Sequence, residues 1–193
     1  LFSMDDWKGC FIGETEDHVY HLYRKAFTCE RKVKKARLYV CGLGHFECWL
    51  NGKRVSDHVL EPGWADYDKT CFYTAYDVAG QLENGKNALL IKLGDGMFNV
   101  PGGRYVYFPR TYGKCKLLLQ LELLFEDGTT ERVVTDSSWK MTPSPIRFCC
   151  IYGGEDYDGR LWKEEYLSGD FEEDDRWEPV VCVEPPKGKL TAM

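Results

Sequence analysis

The feature that most limits this fold is a period-two alternation of apolar and polar residues, repeated in short runs that end in glycine turns. Ala36, Leu38 and Val40 face one way while Arg37, Tyr39 and Cys41 face the other. Phe46, Cys48 and Leu50 alternate in the same way with His45, Glu47, Trp49 and Asn51. That pattern is the mark of a strand with unlike faces. Asn51-Gly52 then separates Trp49-Leu50 from Lys53-Arg54-Val55 and supplies the two positive φ angles of a type I′ hairpin turn. Leu117, Leu119, Leu121, Leu123 and Phe125 alternate again, and Asp127-Gly128 turns the chain into residues 130–134. Residues 88–93, ALLIKL, form a near-continuous apolar run suited to a strand buried on both faces. One helical turn is expected over 77–82, capped by Asp77 and ended by Asn84-Gly85. A long 3.6-residue period is missing throughout. The expected fold is therefore all-β, a β-sandwich or jelly roll with short helical turns.

A chain of 193 residues fits one domain, and 44% hydrophobic with 15% aromatic content is ample for a core. Disorder is thereby excluded as a reading. With 25 Lys+Arg against 31 Asp+Glu the net charge is −6, which argues against a phosphate-backbone binder of nucleic acid. The one basic cluster, Arg31-Lys32-Val33-Lys34-Lys35, reads as a solvated loop. A run of about 18 apolar residues, as a membrane helix requires, does not occur. The opening Leu1-Phe2-Ser3-Met4 has neither an initiator Met nor a signal-peptide pattern, so a piece of a longer chain is expected. Nine cysteines are an odd number with no Cys-x-x-Cys and no zinc-type spacing to histidine. They read as buried free thiols acting as small hydrophobes, with Cys149-Cys150 the most troublesome pair. Free thiols favour a reducing compartment, the cytoplasm over the periplasm.

The screen for chemistry narrows quickly. Gly94-Asp95-Gly96 and Gly102-Gly103 open no helix and match no phosphate loop, which leaves loop geometry. The histidines, at 18, 21, 45 and 58, are scattered, and no Gly-x-Ser-x-Gly elbow accompanies them. His45 and His58 read as hairpin or loop residues. The turn 152–160 is richer, since it gathers Glu155, Asp156 and Asp158 with two tyrosines and Arg160. Two acids flanking a glycosidic bond are what glycoside hydrolysis needs, and clustered carboxylates also suit Ca²⁺. A turn whose acids are neutralised by Arg160 is the third reading, and spacing leaves all three open. Residues 97–108 set aromatic rings beside Asn99, Arg104 and Tyr105, either as a sugar-binding surface or as rings packed under a long loop.

Several of these motifs resemble one family. Residues 36–40 with Gly42-Leu43-Gly44, the Leu50-Asn51-Gly52 hairpin and Asp57-His58-Val59-Leu60 are similar to β-sandwich domains that precede glycosidase catalytic domains. Leu60-Glu61-Pro62-Gly63-Trp64, Asp66-Tyr67-Asp68-Lys69, Leu93-Gly94-Asp95-Gly96 and Tyr152-Gly153-Gly154-Glu155-Asp156-Tyr157-Asp158, in that order, resemble the N-terminal domain of bacterial α-L-rhamnosidases. The resemblance implies a galactose-binding-like jelly roll. From the residues themselves, weak periodicity over 1–30 reads as an arm, 31–184 as the sandwich, and Pro185-Pro186-Lys187-Gly188-Lys189 opens a linker over 185–193. The resemblance also implies an accessory domain without catalytic residues of its own, belonging to an inverting glycoside hydrolase whose acid and base lie in a separate C-terminal (α/α)₆ barrel. That barrel would be the partner, with neither nucleic acid nor membrane involved, in a bacterial cytoplasm or periplasm. A rhamnose-type carbohydrate is a second implied partner, through Asn51, Asn99, Arg104, Tyr105, Glu155, Asp156 and Asp158. In relatives with a calcium-held sugar, the matching metal positions are Asn51, Asn99 and Pro101. The alternatives are a docking domain with no sugar site, or a glycosidase of different specificity. Leu50 stands here where the calcium pattern has an acidic residue, and Met97-Phe98 where the family has Gly-Trp-Tyr.

Overall fold

A computed structural model describes residues 3–13, 16, 19–100, 102–105 and 107–193. The strands begin with β1 (Ile12–Gly13), β2 (His21–Cys29), β3 (Val33–Leu43), β4 (His45–Leu50), β5 (Lys53–Arg54) and β6 (Thr70–Asp77). They continue as β7 (Gly85–Gly94), β8 (Asn99–Val100), β9 (Arg110–Thr111), β10 (Lys116–Phe125) and β11 (Thr130–Val134). The last are β12 (Lys140–Pro143), β13 (Ile146–Cys150), β14 (Gly154–Tyr157), β15 (Glu178–Pro179) and β16 (Lys189–Ala192). Helical structure among the described residues is confined to 3₁₀ turns at Met4–Asp6, Ala79–Gln81, Gly159–Leu161 and Glu164–Leu167. None is long and apolar enough to cross a membrane.

Two sheets face each other. One runs β1-β10-β3-β6-β16 with β11 also on β10, and the other runs β15-β12-β2-β7-β4-β5. All pairings in them are antiparallel except β16 on β6. The period-two residues do what the pattern predicts. Ala36, Leu38 and Val40 with Leu117, Leu119 and Leu121 meet Cys48, Leu50, Leu89 and Ile91 in one buried cluster. Fully buried leucines of this kind each contribute about 1.5–3 kcal/mol. Leu121 lies opposite Leu38 and Leu119 opposite Val40. A one-residue slip would turn this whole set outward, so the core itself fixes the register.

The outer faces are covered as well, which is why residues 88–93 read as continuously apolar. On the first sheet, Cys41, Leu43 and Leu118 pack against Trp7, Phe11 and Tyr73. The segment over them is tied down by Gln120, which is fully buried. Gln120 accepts the Lys8 N–H at 2.8 Å and donates to the Asp6 carbonyl at 3.2 Å. On the second sheet, Leu22 and Leu90 pack against Tyr166, Leu167 and Trp177. Arg24 is fully buried there. It donates to the carbonyls of Tyr166 (3.0 Å) and Ser168 (2.7 Å) and pairs with Glu173. A guanidinium out of water must be paired, so it fixes residues 164–173, the 3₁₀ region over this sheet, onto β2.

Four expectations are corrected. Residues 21–29 are no arm: β2 lies between β12 and β7. Its periodicity was hidden because Leu22, Tyr23 and Arg24 are buried in succession. Residues 189–192, expected in a linker, form β16 on β6. The basic cluster is only half loop, since Val33, Lys34 and Lys35 open β3 with both lysines exposed. The cysteines are not all free. Cys10 and Cys182 form a disulfide across 172 residues, where the chain ends run antiparallel through Ile12 and Cys182. Sequence spacing cannot reveal such a pairing. Cys29, Cys41, Cys48, Cys71, Cys115 and Cys150 are free and buried, and Cys149 is half-buried. The bridge withdraws the case for a reducing compartment that free thiols alone suggested.

A bridge closing so long a loop restricts the unfolded chain strongly. Reducing it, or replacing Cys10 with Ser, lowers unfolding free energy by about 2–5 kcal/mol in denaturant titrations. An unchanged midpoint would show that the bridge adds nothing.

Candidate site at the loop end of the sandwich

One end of the sandwich is built by the turn between β3 and β4, the end of β7, the loop 55–69, and the described residues of 95–100, 102–105 and 107–112. The glycine-rich segments interlock here. Gly44 has φ +85, and a Cβ on it would stand 1.8 Å from the Gly94 carbonyl oxygen. One on Gly96 would stand 2.9 Å from the His45 nitrogen. Two buried carboxylates then fix the loops. Asp95 accepts the Tyr20 hydroxyl at 2.6 Å, the Asn99 amide at 2.8 Å and the Cys115 thiol at 3.3 Å. Burial and this hydrogen bond to Asp95 push the Tyr20 phenol well above its ordinary pKa. Glu61 accepts the Tyr76 hydroxyl at 2.6 Å and lies 2.8 Å from His58 Nδ1, while its carbonyl accepts the Phe46 N–H at 2.9 Å. Unpaired, either carboxylate would be costly to bury; bonded in this way, each becomes a rigid post.

The candidate binding residues fall in separate places. Asn51 sits in the β4–β5 turn at φ 49. Its amide donates to the Gln81 carbonyl at 2.9 Å and to Asn87 Oδ1 at 2.7 Å, and its oxygen accepts the Ala88 N–H at 2.9 Å. Asn99 is at the other end of the same strands. Leu50 pairs with Leu89 but His45 with Gly94, so the two asparagines stand on the order of 17 Å or more apart. Pro101 lies outside the described residues. Arg104 and Asp156 form a two-pronged ion pair, at 2.7 and 2.5 Å, with the guanidinium 4.5 Å from the centre of the Phe148 ring. The Arg104 hydrogen bonds hold the Asp156 carboxyl below its usual range. Asp158 caps the turn Gly159–Leu161 and is gripped by Arg160 at 2.8 and 2.7 Å, which brings its pKa down to about 2. Tyr105 points into solvent at φ 41.

Two of the set border clefts: Asn51 lines one of about 280 Å³ with Glu83 and Glu164, and Glu155 lines a larger one. Successive residues of β14 face opposite ways, so Glu155 and Asp156 do not flank a common space. The larger cleft, about 400 Å³, has Glu47, Lys92, His45 and Glu155 among its lining side chains and Val59 and Leu60 at its edge. Lys92 is 2.6 Å from Glu47, and burial raises the Glu155 pKa. Among the described residues no three His, Cys, Asp or Glu side chains form a metal-type group. A further cleft of about 270 Å³ lies across loop 94–97, lined by Trp64, Val100, Tyr107, Phe108 and Tyr152. Its rings are unusually open to water, with Trp64 65% and Tyr107 88% exposed.

The model of the family described as "Alpha-L-rhamnosidase N-terminal domain" matches residues 31–193. The chain belongs to that family. An α-L-rhamnosidase of Formosa agariphila is 37% identical over 159 residues, which is 80% of this chain and 17% of that protein. The structure of the Dictyoglumus thermophilum α-L-rhamnosidase superposes with a TM-score of 0.87 at 35% identity, covering 98% of this chain and 22% of that one. The Streptomyces avermitilis α-L-rhamnosidase, solved with L-rhamnose, gives 0.81 at 34% identity over 90% of this chain and 17% of its own. The rhamnosidase N-terminal domain thus spans about a fifth of the length of these relatives, and the sandwich expected from sequence is the fold they share.

Glu61, Asp95, Tyr20, Tyr76 and Arg24 were not among the sequence candidates. Glu61 and Asp95 could have been found, because each is an acid inside a motif otherwise made of glycine, proline and apolar residues. Tyr20 and Arg24 gave no signal, lying far in sequence from what they bind.

His58 is raised above its ordinary pKa, first by its hydrogen bond to Glu61 and then by the attraction of that carboxylate. A raised histidine stabilises the fold fully below its unfolded pKa, and the effect fades as pH rises through the folded one. NMR titration should therefore place the His58 midpoint above about 6.5, falling back in Glu61→Gln. A midpoint below the free value would show that the contact does not form.

Proposed function

We propose that this chain is the non-catalytic domain of a longer α-L-rhamnosidase-type glycoside hydrolase, and that it supports the catalytic part by packing against it. The observation that carries this is the use made of the candidate polar groups. Asn51, Asn99, Asp156 and Asp158 are each bonded to neighbours inside the domain. A sugar site needs polar groups held towards an open pocket. Calcium shared between Asn51 and Asn99 is disfavoured by their places at opposite strand ends. The catalytic acid and base, and the inverting mechanism, belong to the remainder of such an enzyme. Relatives about five times longer support that placement.

A second reading rests on one feature. Glu155, beside Lys92 and Glu47 in a cleft large enough for a monosaccharide, gives a rhamnoside one place to bind.

Two measurements test the proposal. Calorimetric titration of residues 1–193 with millimolar L-rhamnose, in calcium and then in chelator, is expected to give no saturable heat. Removing residues 1–193 from the full-length protein is expected to lower the melting temperature and soluble yield of the rest. Saturable heat lost in Glu155→Gln would move the account to the second reading. An unaffected remainder would end the support role.

A further inference from the structure

We infer that the surface formed by residues 59–64, 102–105 and 107–108 is where the downstream part of the same polypeptide docks. This inference rests on the supporting role just proposed and names the surface that performs it.

Exposed large apolar side chains gather at this end. Val59, Leu60, Trp64, Tyr105, Tyr107 and Phe108 all belong to these two loops. They form more than scattered points: Trp64, Tyr107 and Phe108 border one cleft and Val59 and Leu60 another, with the adjacent residues Met97 and Gly96 lining the first and the second. Single exposed apolar residues are ordinary, but rings grouped around adjoining clefts mark a surface built to be covered.

The loops are also held in shape. Glu61 and Asp95 anchor their bases through buried hydrogen bonds. Gly153 lets the second loop sit close, since a Cβ there would stand 2.7 Å from the Arg104 carbonyl oxygen. A surface already ordered before contact loses little freedom on binding.

The charges around the rings are matched within the domain. Arg104 pairs with Asp156, Arg110 lies 3.5 Å from Asp68, and Lys69 lies 3.0 Å from Asp66. Exposed pairs of this kind contribute little to stability. They do neutralise the border, leaving rings as the part water solvates worst. A partner with an apolar face fits, whereas a polyol would find few polar groups free to meet its hydroxyls.

Position selects the partner. Strand β16 runs parallel to β6 and carries Met193 against this loop, where the Gly63 N–H approaches the Met193 sulfur at 3.3 Å. Any residue following 193 therefore starts from a residue whose side chain already touches Gly63 of this loop. A domain tethered there meets this surface at high effective concentration.

The test is hydrogen exchange on the full-length protein beside residues 1–193 alone. Amides in 59–64, 102–105 and 107–108 are expected to exchange about tenfold more slowly in the full-length protein. The double variant Trp64→Ser/Tyr107→Ser is expected to abolish the slowing while leaving β3, β7 and β10 as protected as before. Slowing confined to another face, such as residues 164–177 over the second sheet, would overturn this surface and leave the supporting role standing. No slowing anywhere in the domain would overturn both. A dimer of residues 1–193 that disappears in the double variant would assign the surface to a second copy and also overturn the inference.

Discussion

Burial of both faces of the central strands is the constraint from which the rest of this molecule follows. The inner faces of β3, β7 and β10 form the core between the sheets, as in any sandwich. Their outer faces are apolar too, so each sheet needs a second cover. The chain supplies these covers from its less regular parts, residues 3–13 on one side and the 3₁₀ region on the other. Gln120 and Arg24 hold the covers down because neither can be left buried and unpaired. The disulfide from Cys10 to Cys182 then joins the two chain ends.

The loop end inherits its rigidity from that arrangement. Strand ends fixed from four sides leave no room for a Cβ at Gly44, and the adjoining loops are pinned through Glu61 and Asp95. Of the side chains the sequence offers for sugar recognition, Asn99, Arg104 and Asp156 are fastened to neighbours at this end. The rings are its free surface. Polar groups bonded internally and aromatic rings left in water are the two observations on which the proposed docking role rests.

The sequence made the sheet interior legible because alternation reports directly on burial: Leu38, Leu50 and Leu121 sit where their pattern put them. The Asn51-Gly52 and Asp127-Gly128 hairpins were equally clear, since few residues tolerate the backbone those turns require. β2 was missed because a strand with both faces buried loses its alternation, and a buried arginine in its middle looks like solvent exposure. The Cys10–Cys182 bridge was missed because nothing local signals a contact across 172 residues. The acidic turn was found, but its composition could not tell Arg104 and Arg160 as internal partners from a ligand waiting to bind. The family motifs carried more, and their acids, Glu61 and Asp95, proved to be posts.

The central claim is that the ring-bearing loops are an interface and that the polar candidates are internal fastenings. An experimental structure of the full-length protein measures this most directly. The account predicts that Trp64 and Tyr107, open to water in this domain, are covered by residues beyond 193, with Asn51 and Asn99 still bonded as described. Trp64 and Tyr107 in open solvent, with a sugar or calcium ion seated on Asn51 or Asn99, would contradict it.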